Sequence, residues 1–492
     1  MQRIPMHVDG LDRLPASGEW FETEDPFQGS AWAEVARGER SDVDAAVTAA
    51  HQALTVGAWS TLTHTARGLI LNRVADGISA NVDRLAELEV RDNGKLLAEM
   101  RGQVAYLPEW FRYYGGLADK IEGTVIPIDK PGHFTFTRRE PIGVVAIITP
   151  WNSPLMLLAW KLVPALAAGC TVVIKPSEFT SASTVEFVRV LEAAGLPPGV
   201  VNVVTGFGAE VGAPLVEHPL IRKVGFTGSD TTGRLIGAQA AGNLKRLTLE
   251  LGGKSPNIVF ADADLDATVN GVIAGIFAAT GQTCIAGSRL LVQSSVHDEV
   301  VERVVAMSRS ARMGDPMDAE TQVGPVTTRP QYEKVLNYIA VARAEGATLA
   351  LGGRPADRPE CGNGWFVEPT IFTGVDNRMR IAQEEVFGPV LAVIPFEDEN
   401  DAVRVANDSL YGLGAGVWTS DIGRAFRMSE RIQAGTVWVN TYRAVSFMAP
   451  FGGVKDSGIG RENGISAVDE YLETKTVWMN TGAPTGSPFV MR

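Results

Sequence analysis

A chain of 492 residues is too long for one ordinary hydrophobic core, so its length predicts two or three domains. Its hydrophobic content of 45% and charged content of 21% are typical of a globular protein and do not indicate disorder. The net charge of -13 argues against nucleic acid or an anionic membrane as a partner.

The cysteines and the first ten residues bear on the cellular compartment. Cys170, Cys284 and Cys361 are too few for a disulfide framework and fit a reducing compartment. Segment 1–10 lacks the apolar stretch of an export signal. We therefore expect the protein to be cytoplasmic.

Segment 142–174 is long and apolar enough to resemble a membrane span, but it contains residues that a bilayer helix rarely accepts. These are Asn152, Lys161, Pro150, Pro154 and Pro164. The better interpretation is a buried strand–helix–strand unit. It predicts a strand over 142–148, a turn over 149–152, a helix to about 168 and a strand over 171–174.

The same alternation of strands and helices continues to residue 251. Strands are predicted over 200–204, 223–226 and 246–251, with helical segments that reach 218 and cover about 231–241. This spacing predicts a parallel, doubly wound sheet, in which ligands bind beyond the carboxyl ends of the strands. Five residues at or just after strand ends should converge on one crevice: Asn152, Lys175, Gly206, Ser229 and Glu250.

A second α/β block begins near residue 255. It is predicted to contain a strand over 257–260, a helix over 265–279, a loop over 281–287 and a strand over 289–293. The loop carries Cys284, which would face the cleft between the two blocks. Two remaining segments fit neither block and are predicted to be β segments that reach outward: 123–139 and 474–480.

Cys284 and Glu250 each stand in glycine-rich sequence, and this pair suggests covalent catalysis. A free cysteine is only a few per cent thiolate near pH 7, so a nucleophilic cysteine needs a neighbouring base or a positive dipole. A thioester intermediate also needs a group that delivers water, and Glu250 suits either task. The alternative is a buried, inert thiol and a glutamate at the end of a surface strand.

The segments around Glu250 and Cys284 resemble the two signature stretches of the aldehyde dehydrogenase superfamily. Five other segments resemble motifs of that family and occur in its order: 149–152 (Thr-Pro-Trp-Asn), 174–178 (Ile-Lys-Pro-Ser-Glu), 226–229 (Phe-Thr-Gly-Ser), 384–389 (Glu-Glu-Val-Phe-Gly-Pro) and 450–453 (Pro-Phe-Gly-Gly). The resemblance runs from about Gly18 to about Val477. Seven ordered motifs are a far more specific signal than any one of them.

The resemblance implies an α/β fold with a Rossmann-like doubly wound parallel sheet, a second α/β catalytic domain and a small β oligomerisation element. It places the NAD-binding domain in 1–121 and 142–252, and the catalytic domain with the nucleophilic cysteine in 253–457. The oligomerisation elements would be 122–141 and 472–492, and we expect a homodimer or a homotetramer.

The resemblance also implies a mechanism. Cys284 would attack an aldehyde carbonyl to give a thiohemiacetal oxyanion, which the Asn152 side-chain amide and the Cys284 backbone N–H would hold. Hydride transfer to nicotinamide would leave a thioester, which Glu250-activated water would hydrolyse. Lys161 and Glu462 resemble the family's second proton path, and a purely structural ion pair is the alternative.

The cofactor assignment combines local chemistry with the resemblance. Junction 226–233 joins a strand to a helix with small residues and free N–H groups that suit a pyrophosphate. By resemblance, Lys175 and Glu178 would contact the adenine ribose, whereas Glu385 and Phe387 would contact the nicotinamide ribose and ring. The Glu178 carboxylate would repel a 2′-phosphate, which favours NAD, while Lys175 leaves NADP possible. The motifs assign further residues to the cofactor: Thr149, Pro150, Trp151, Ser177, Gly208, Phe226, Gly228, Ser229 and Leu251.

The predicted substrate tunnel also follows from the resemblance. Ser153 is smaller than the aromatic residue that many relatives carry there, and Ala278 leaves out one wall of the aromatic box that binds a cationic head in betaine-aldehyde enzymes. Arg443 would stand near the tunnel mouth and meet a substrate carboxylate; a solvated loop arginine is the alternative. The other tunnel residues would be Leu157, Trp160, Thr283, Ile285, Val445 and Phe451.

We therefore expect an NAD-preferring, hydrolytic aldehyde dehydrogenase that acts on a small-molecule aldehyde and uses no metal. A CoA-acylating relative is the second hypothesis, and Glu250 argues against it because that reaction needs no water-activating base. The third hypothesis is a binding or structural relative without catalysis, and the intact set of Cys284, Asn152 and Glu250 argues against it. Neither nucleic acid nor a membrane is expected as a partner.

Overall fold

The computed structural model describes residues 1–482, Ser487 and Phe489. Part of the predicted oligomerisation segment 472–492 therefore lies outside the described residues. Within them, two open α/β sheets carry most of the chain, and a separate three-stranded β sheet carries the segments that fit neither block.

The first sheet contains the strands that the alternation predicted. Its strands lie side by side in the order Gly458–Ile459, Arg246–Glu250, Ile221–Thr227, Val144–Ile148, Thr171–Lys175, Val201–Val203, Met6–Val8 and Leu11–Arg13. The strands between residues 144 and 250 are mutually parallel, as predicted. Both edges are antiparallel, so the sheet is mixed. The alternating pattern of residues 142–251 could not reveal these antiparallel strands, because they come from segments far away in the sequence, near residues 6–13 and 458–459.

Helices cover both faces of the first sheet, so its central strands are buried throughout. The apolar helix Pro154–Ala168 begins with a proline, whose missing N–H costs nothing in the first turn, and ends at Gly169 in the left-handed region (φ 96°). Segment 142–174 is thus the predicted strand–helix–strand unit, and no helix of the described chain is long and apolar enough to cross a membrane. The other helices of this half are Arg40–Thr55, His64–Ser79, Val82–Asn93, Leu97–Leu117, Ala182–Ala193, Ala213–Glu217 and Asp230–Ala241.

The second sheet is built from later segments and is parallel except at one edge. Its strands lie in the order Thr348–Leu351, Thr370–Thr373, Val390–Phe396, Arg289–Gln293, Pro256–Val259, Gly414–Trp418 and Thr436–Val439. The first of these is the antiparallel edge strand. The helices of this half are Leu265–Ile276, His297–Arg309, Arg329–Ala344, Arg380–Gln383, Glu399–Asn407 and Ile422–Arg431.

The predicted helix 265–279 ends earlier than expected, at Ile276. Ala279, Thr280 and Gly281 then adopt left-handed backbone angles, with φ of 53°, 54° and 71°, which no right-handed helix accepts. A side chain at Gly281 would lie 2.1 Å from the Gly388 carbonyl oxygen, so only glycine fits there. This left-handed turn directs the following loop, with Cys284, toward the first sheet.

The three-stranded sheet, here called the β-arm, consists of Val125–Ile126, His133–Pro141 and Leu472–Asn480. Leu472–Asn480 pairs antiparallel with His133–Pro141 along its whole length. The predicted β segments 123–139 and 474–480 therefore pair with each other. The part of the chain that the structure describes contains two further small sheets. One comprises Gln2–Ile4, Ser30–Ala36 and Trp20–Asp25, and the other Tyr411–Gly412 and Val454–Lys455.

Candidate active site

Cys284 lies in a loop that neighbouring backbone groups hold in place. Gln282, two residues earlier, is fully buried; its side-chain amide donates to the Pro325 carbonyl at 3.3 Å and accepts from the Thr327 backbone N–H at 2.9 Å. Because these bonds anchor the loop to a different segment, the thiol is held at a defined point of the cleft between the two sheets.

The surroundings of Cys284 keep its thiol protonated. Burial, together with the nearby carboxyl groups of Glu385 and Glu250, raises the pKa of the Cys284 thiol to about 12. The thiol thus needs a base or an added positive charge before it can react as a thiolate. Cys170, by contrast, is fully buried in the core, and burial raises the pKa of its thiol to about 11.

Asn152 follows the strand Val144–Ile148 and contacts the cysteine loop. Its side-chain Nδ2 donates to the Gln282 carbonyl oxygen at 2.9 Å, and the residue is 5% exposed. An amide nitrogen carries two hydrogens, so one N–H group is committed to the loop and the second is available to a ligand. This hydrogen bond fixes the orientation of the free donor.

Glu250 is the last residue of the strand Arg246–Glu250 and is 4% exposed. Neither of its carboxylate oxygens has a hydrogen-bond partner within the described residues. Burial raises its pKa well above the ordinary value, the charge of Glu462 raises it further, and Lys161 and Arg461 oppose that rise. A carboxyl group with a raised pKa binds a proton more readily than an ordinary surface carboxylate.

Lys161 and Glu462 form an ion pair behind Glu250. Lys161 Nζ lies 2.6 Å from Glu462 Oε1, and the two side chains are 0% and 2% exposed. Lys161 also donates to the hydroxyl of Thr227. Burial raises the pKa of Glu462, and its partner Lys161 opposes that shift. The structure thus brings together the two residues that the resemblance paired, 301 positions apart in the sequence.

Three cavities run in series through this region. The strand-end cavity, of about 550 Å³, lies beyond the carboxyl ends of the first sheet. A smaller junction cavity, of about 120 Å³, shares Trp151 and Gly228 with it. The third, the tunnel cavity, has a volume of about 420 Å³. Cys284, Asn152 and Leu157 line both the junction cavity and the tunnel cavity, so the thiol lies where the two meet.

All residues assigned to the cofactor line the first two cavities. The strand-end cavity contains Thr149, Pro150, Trp151, Lys175, Ser177, Glu178, Gly208, Phe226, Gly228 and Ser229. The junction cavity contains Leu251, Glu385 and Phe387. Sequence reasoning missed Gln331 and Lys334, which line the junction cavity from the helix Arg329–Ala344.

The first two cavities fit a dinucleotide. Glu178 accepts from Lys175 Nζ at 3.4 Å, so a carboxylate and an ammonium face the region assigned to a ribose. Ser229 caps the helix Asp230–Ala241, whose N-terminal N–H groups suit a phosphate. Glu385 accepts from the Gly253 N–H at 3.0 Å, and burial raises its pKa to about 7.

Two aromatic rings close the junction cavity. Trp151 and Phe387 meet edge to face, with ring centroids 5.2 Å apart. Phe387 has a left-handed backbone (φ 59°), and the Gln331 side chain donates to the Phe387 carbonyl oxygen at 2.9 Å. Gln331 thereby holds a strained backbone in place, a long-range role that leaves no local sequence signal.

The tunnel cavity is lined by every residue assigned to it, namely Ser153, Leu157, Trp160, Thr283, Ile285, Arg443, Val445 and Phe451. The opposite wall was not predicted. It is the helix Leu97–Leu117, which contributes Ala98, Glu99, Gly102, Gln103 and Tyr106. Their spacing of three to four residues is the only sequence signal of that wall, and many helices have a polar face with this spacing.

The chain matches the aldehyde dehydrogenase family model over residues 14–477. It belongs to this family and is an oxidoreductase that acts on aldehydes, which confirms the resemblance and the α/β fold that it implied.

Two relatives and one solved structure illustrate the similarity. A "(Z)-2-((N-methylformamido)methylene)-5-hydroxybutyrolactone dehydrogenase" of Acinetobacter baylyi is 47% identical over 100% of both chains. The betaine aldehyde dehydrogenase of Bacillus subtilis is 43% identical over 94% of this chain and 96% of its own. A crystal structure of Staphylococcus aureus betaine aldehyde dehydrogenase in complex with NAD+ superposes with a TM-score of 0.97, at 40% identity, over 99% of this chain and 97% of that one.

Proposed function

We propose that this chain oxidises an aldehyde to a carboxylic acid with NAD+, through a thioester on Cys284 that water hydrolyses. The observation that carries the proposal is the position of the thiol at the junction of two cavities, one suited to a dinucleotide and one to a small substrate. A reaction between a bound cofactor and a bound aldehyde requires this arrangement.

The first step is addition of the Cys284 sulfur to the aldehyde carbonyl, after its proton has passed to a base. The carbonyl oxygen becomes an oxyanion, to which the free Asn152 amide N–H and the Cys284 backbone N–H donate. When bound in the strand-end and junction cavities, NAD+ supplies the hydride acceptor. Glu178 supports NAD rather than NADP, because its carboxylate accepts ribose hydroxyls and repels a 2′-phosphate.

Glu250 then removes a proton from the water that attacks the thioester, and the thiol leaves as the acid forms. Its buried carboxyl group, without hydrogen-bond partners among the described residues, supports the role of base. The ion pair of Lys161 with Glu462 would pass the proton onward. A solely structural ion pair remains the alternative for these two residues.

The proposal is tested by NADH formation with and without coenzyme A. A hydrolytic enzyme forms NADH and free acid without coenzyme A, whereas an acylating enzyme requires it and a silent relative forms no NADH. Cys284→Ala should abolish NADH formation, and the matched variants Cys170→Ala and Cys361→Ala should retain most of it. Turnover by Cys284→Ala would exclude the mechanism.

We also propose that the β-arm joins copies of the chain. Among the described residues, Leu472–Asn480 lies at an edge of the β-arm, and it carries the half-exposed side chains of Trp478 and Met479. An exposed edge of this length invites pairing with another strand. A second copy of the chain, in a homodimer or a dimer of dimers, would cover it.

A further inference from the structure

A buried lysine that sequence analysis did not single out lies behind the wall of the tunnel cavity. Lys95 follows the helix Val82–Asn93, which ends at Gly94 in the left-handed region (φ 72°). A side chain at Gly94 would lie 2.8 Å from Pro325 Cγ, so this turn is fixed. Lys95 is 3% exposed, and its Nζ donates to the Ser153 hydroxyl oxygen at 2.7 Å.

Lys95 has no counter-ion in contact. Within residues 1–482, no carboxylate oxygen lies within 4.0 Å of its Nζ, and the bond to Ser153 is the only hydrogen bond of its ammonium group. The charges of Glu99 and Glu89 act on Lys95 from beyond contact distance, and Glu89 accepts the Leu155 backbone N–H at 3.2 Å. An ammonium group has three donors, and burying it with one acceptor is unfavourable. Such a group is stabilised when an anion binds nearby.

Ser153 connects the Lys95 ammonium group to the tunnel cavity. It lines the tunnel cavity beside Asn152, at the N-terminus of the helix Pro154–Ala168, yet its hydroxyl makes no capping hydrogen bond. Because Lys95 donates to the Ser153 oxygen, the hydroxyl hydrogen is free to point to a ligand. The small side chain at this position thus presents a polarised donor to the substrate.

Arg443 supplies a second positive charge on the same cavity. Its Nη1 donates to the Ala274 carbonyl at 3.1 Å, and its Nη2 lies 3.6 Å from Glu99 Oε1, a long contact for an ion pair. The two side chains are 18% and 21% exposed, so Arg443 is not the solvated loop arginine of the alternative interpretation. Two cationic side chains, Arg443 on the cavity wall and Lys95 behind Ser153, therefore stand at the tunnel cavity, where Glu99 is the one carboxylate among the described lining residues.

Other polar atoms of the tunnel also lack partners. Trp160 Nε1 and Thr283 Oγ1 belong to tunnel-lining residues, are buried and have no hydrogen-bond partner among the described residues. Buried donors are rarely left unsatisfied in native proteins. A substrate that carries several oxygen atoms would satisfy them, whereas an alkyl chain would not.

We propose that the tunnel selects aldehydes that carry a carboxylate, with Ser153 and Arg443 as contact residues and Lys95 as a positioning residue that acts through Ser153. This inference rests on the proposed function. The same charges disfavour a cationic aldehyde, so the chain would differ in substrate charge from the betaine aldehyde dehydrogenases that it resembles.

The test compares three aldehydes of similar length and different charge: 4-oxobutanoate, pentanal and 4-(trimethylammonio)butanal. The wild-type kcat/KM should be highest for 4-oxobutanoate and lowest for the cation. Arg443→Gln and Ser153→Ala should each lower the ratio of kcat/KM for 4-oxobutanoate to that for pentanal by about 10- to 100-fold, mainly through KM, because each removes a charge-assisted contact. Ser153→Thr, which keeps the hydroxyl, should retain most of the ratio. Arg101→Gln, an exposed change on the neighbouring helix, is the matched control.

Lys95→Met separates a functional lysine from a structural one. The Lys95→Met substitution removes a buried charge without a counter-ion, so the melting temperature should stay equal or rise. The ratio of kcat/KM for 4-oxobutanoate to that for pentanal should fall. A lower melting temperature with an unchanged ratio would assign Lys95 a structural role and overturn the proposal. Equal wild-type kcat/KM for the three aldehydes would also overturn it and leave the proposed function intact. No NADH from any aldehyde would instead contradict the proposed function.

Discussion

Replacing Glu250 by glutamine separates the two halves of the proposed reaction. Glutamine has nearly the same shape, and the buried carboxyl group makes no hydrogen bond among the described residues that the change would break. Since burial already raises the pKa of Glu250 and favours its neutral form, a neutral amide should be accommodated without loss of folding. The variant therefore removes the base and little else.

The size of the effect follows from the role assigned to the residue. A positioned general base contributes about 10²- to 10⁴-fold, which corresponds to about 2.7–5.4 kcal/mol of activation free energy. In Glu250→Gln, the thioester should form at the first turnover and then persist. A stopped-flow trace should show about one NADH per active site, followed by a steady rate that is lower by the same 10²- to 10⁴-fold.

Glu109→Gln, an exposed change on the helix Leu97–Leu117, is the matched control and should show the wild-type trace. If both the burst and the steady phase disappear in Glu250→Gln, the residue is needed to ionise Cys284, and the division of labour argued above is wrong. The pH dependence adds a second check. Because the base must be deprotonated and its pKa is raised, the wild-type steady rate should increase with pH through that pKa.

The oxyanion donor, the β-arm and a buried aspartate each give a further expected outcome. Asn152→Ala removes one donor and should lower kcat by roughly 100- to 1,000-fold in steady-state assays; an unchanged kcat would exclude the role. Light scattering at micromolar concentration should give the mass of a dimer or tetramer, and a monomer mass would contradict pairing through the β-arm. Burial raises the pKa of Asp92 to about 7 in the folded state, against about 3.9 in the unfolded state. Between these pH values the folded state binds more protons than the unfolded state, so the free energy of unfolding falls as pH rises toward 7. The difference in melting temperature between Asp92→Asn and the wild type should therefore increase over that pH range. A difference that does not change with pH would refute the raised pKa of Asp92.

The sequence predicted the elements that local patterns specify. The strand Arg289–Gln293 has the predicted bounds, and the helix Pro154–Ala168 ends at the predicted residue. These predictions succeed because apolar runs, prolines and glycines act within a few residues. The prediction that a helix extends to 279 is wrong because the left-handed turn 279–281 brings Gly281 against the distant Gly388, and no local pattern reveals such a contact.

The site could be predicted where motifs carry it and not where distant contacts create it. Cys284, Asn152 and Glu250 stand in recognisable sequence motifs. In the structure, Cys284, Asn152 and Leu251, which follows Glu250, line the same junction cavity. Lys95 carries no such signal, because a lysine after a helix is usually solvated and only the folded chain shows that it is buried against Ser153. Likewise, the Gln331 side chain donates to the Phe387 carbonyl oxygen, 56 residues away in the sequence, and no local pattern indicates this contact.

The antiparallel pairing of Gly458–Ile459 with Arg246–Glu250 has a consequence for biosynthesis. While the chain is being made, the strand that ends in Glu250 remains an unprotected sheet edge until residues 458–459 have been synthesised. Such edges recruit other strands, and nascent chains that expose them are prone to aggregate. We expect ribosome-bound chains that stop before residue 458 to depend on chaperones, and this dependence to end once residues 458–459 have emerged from the ribosome.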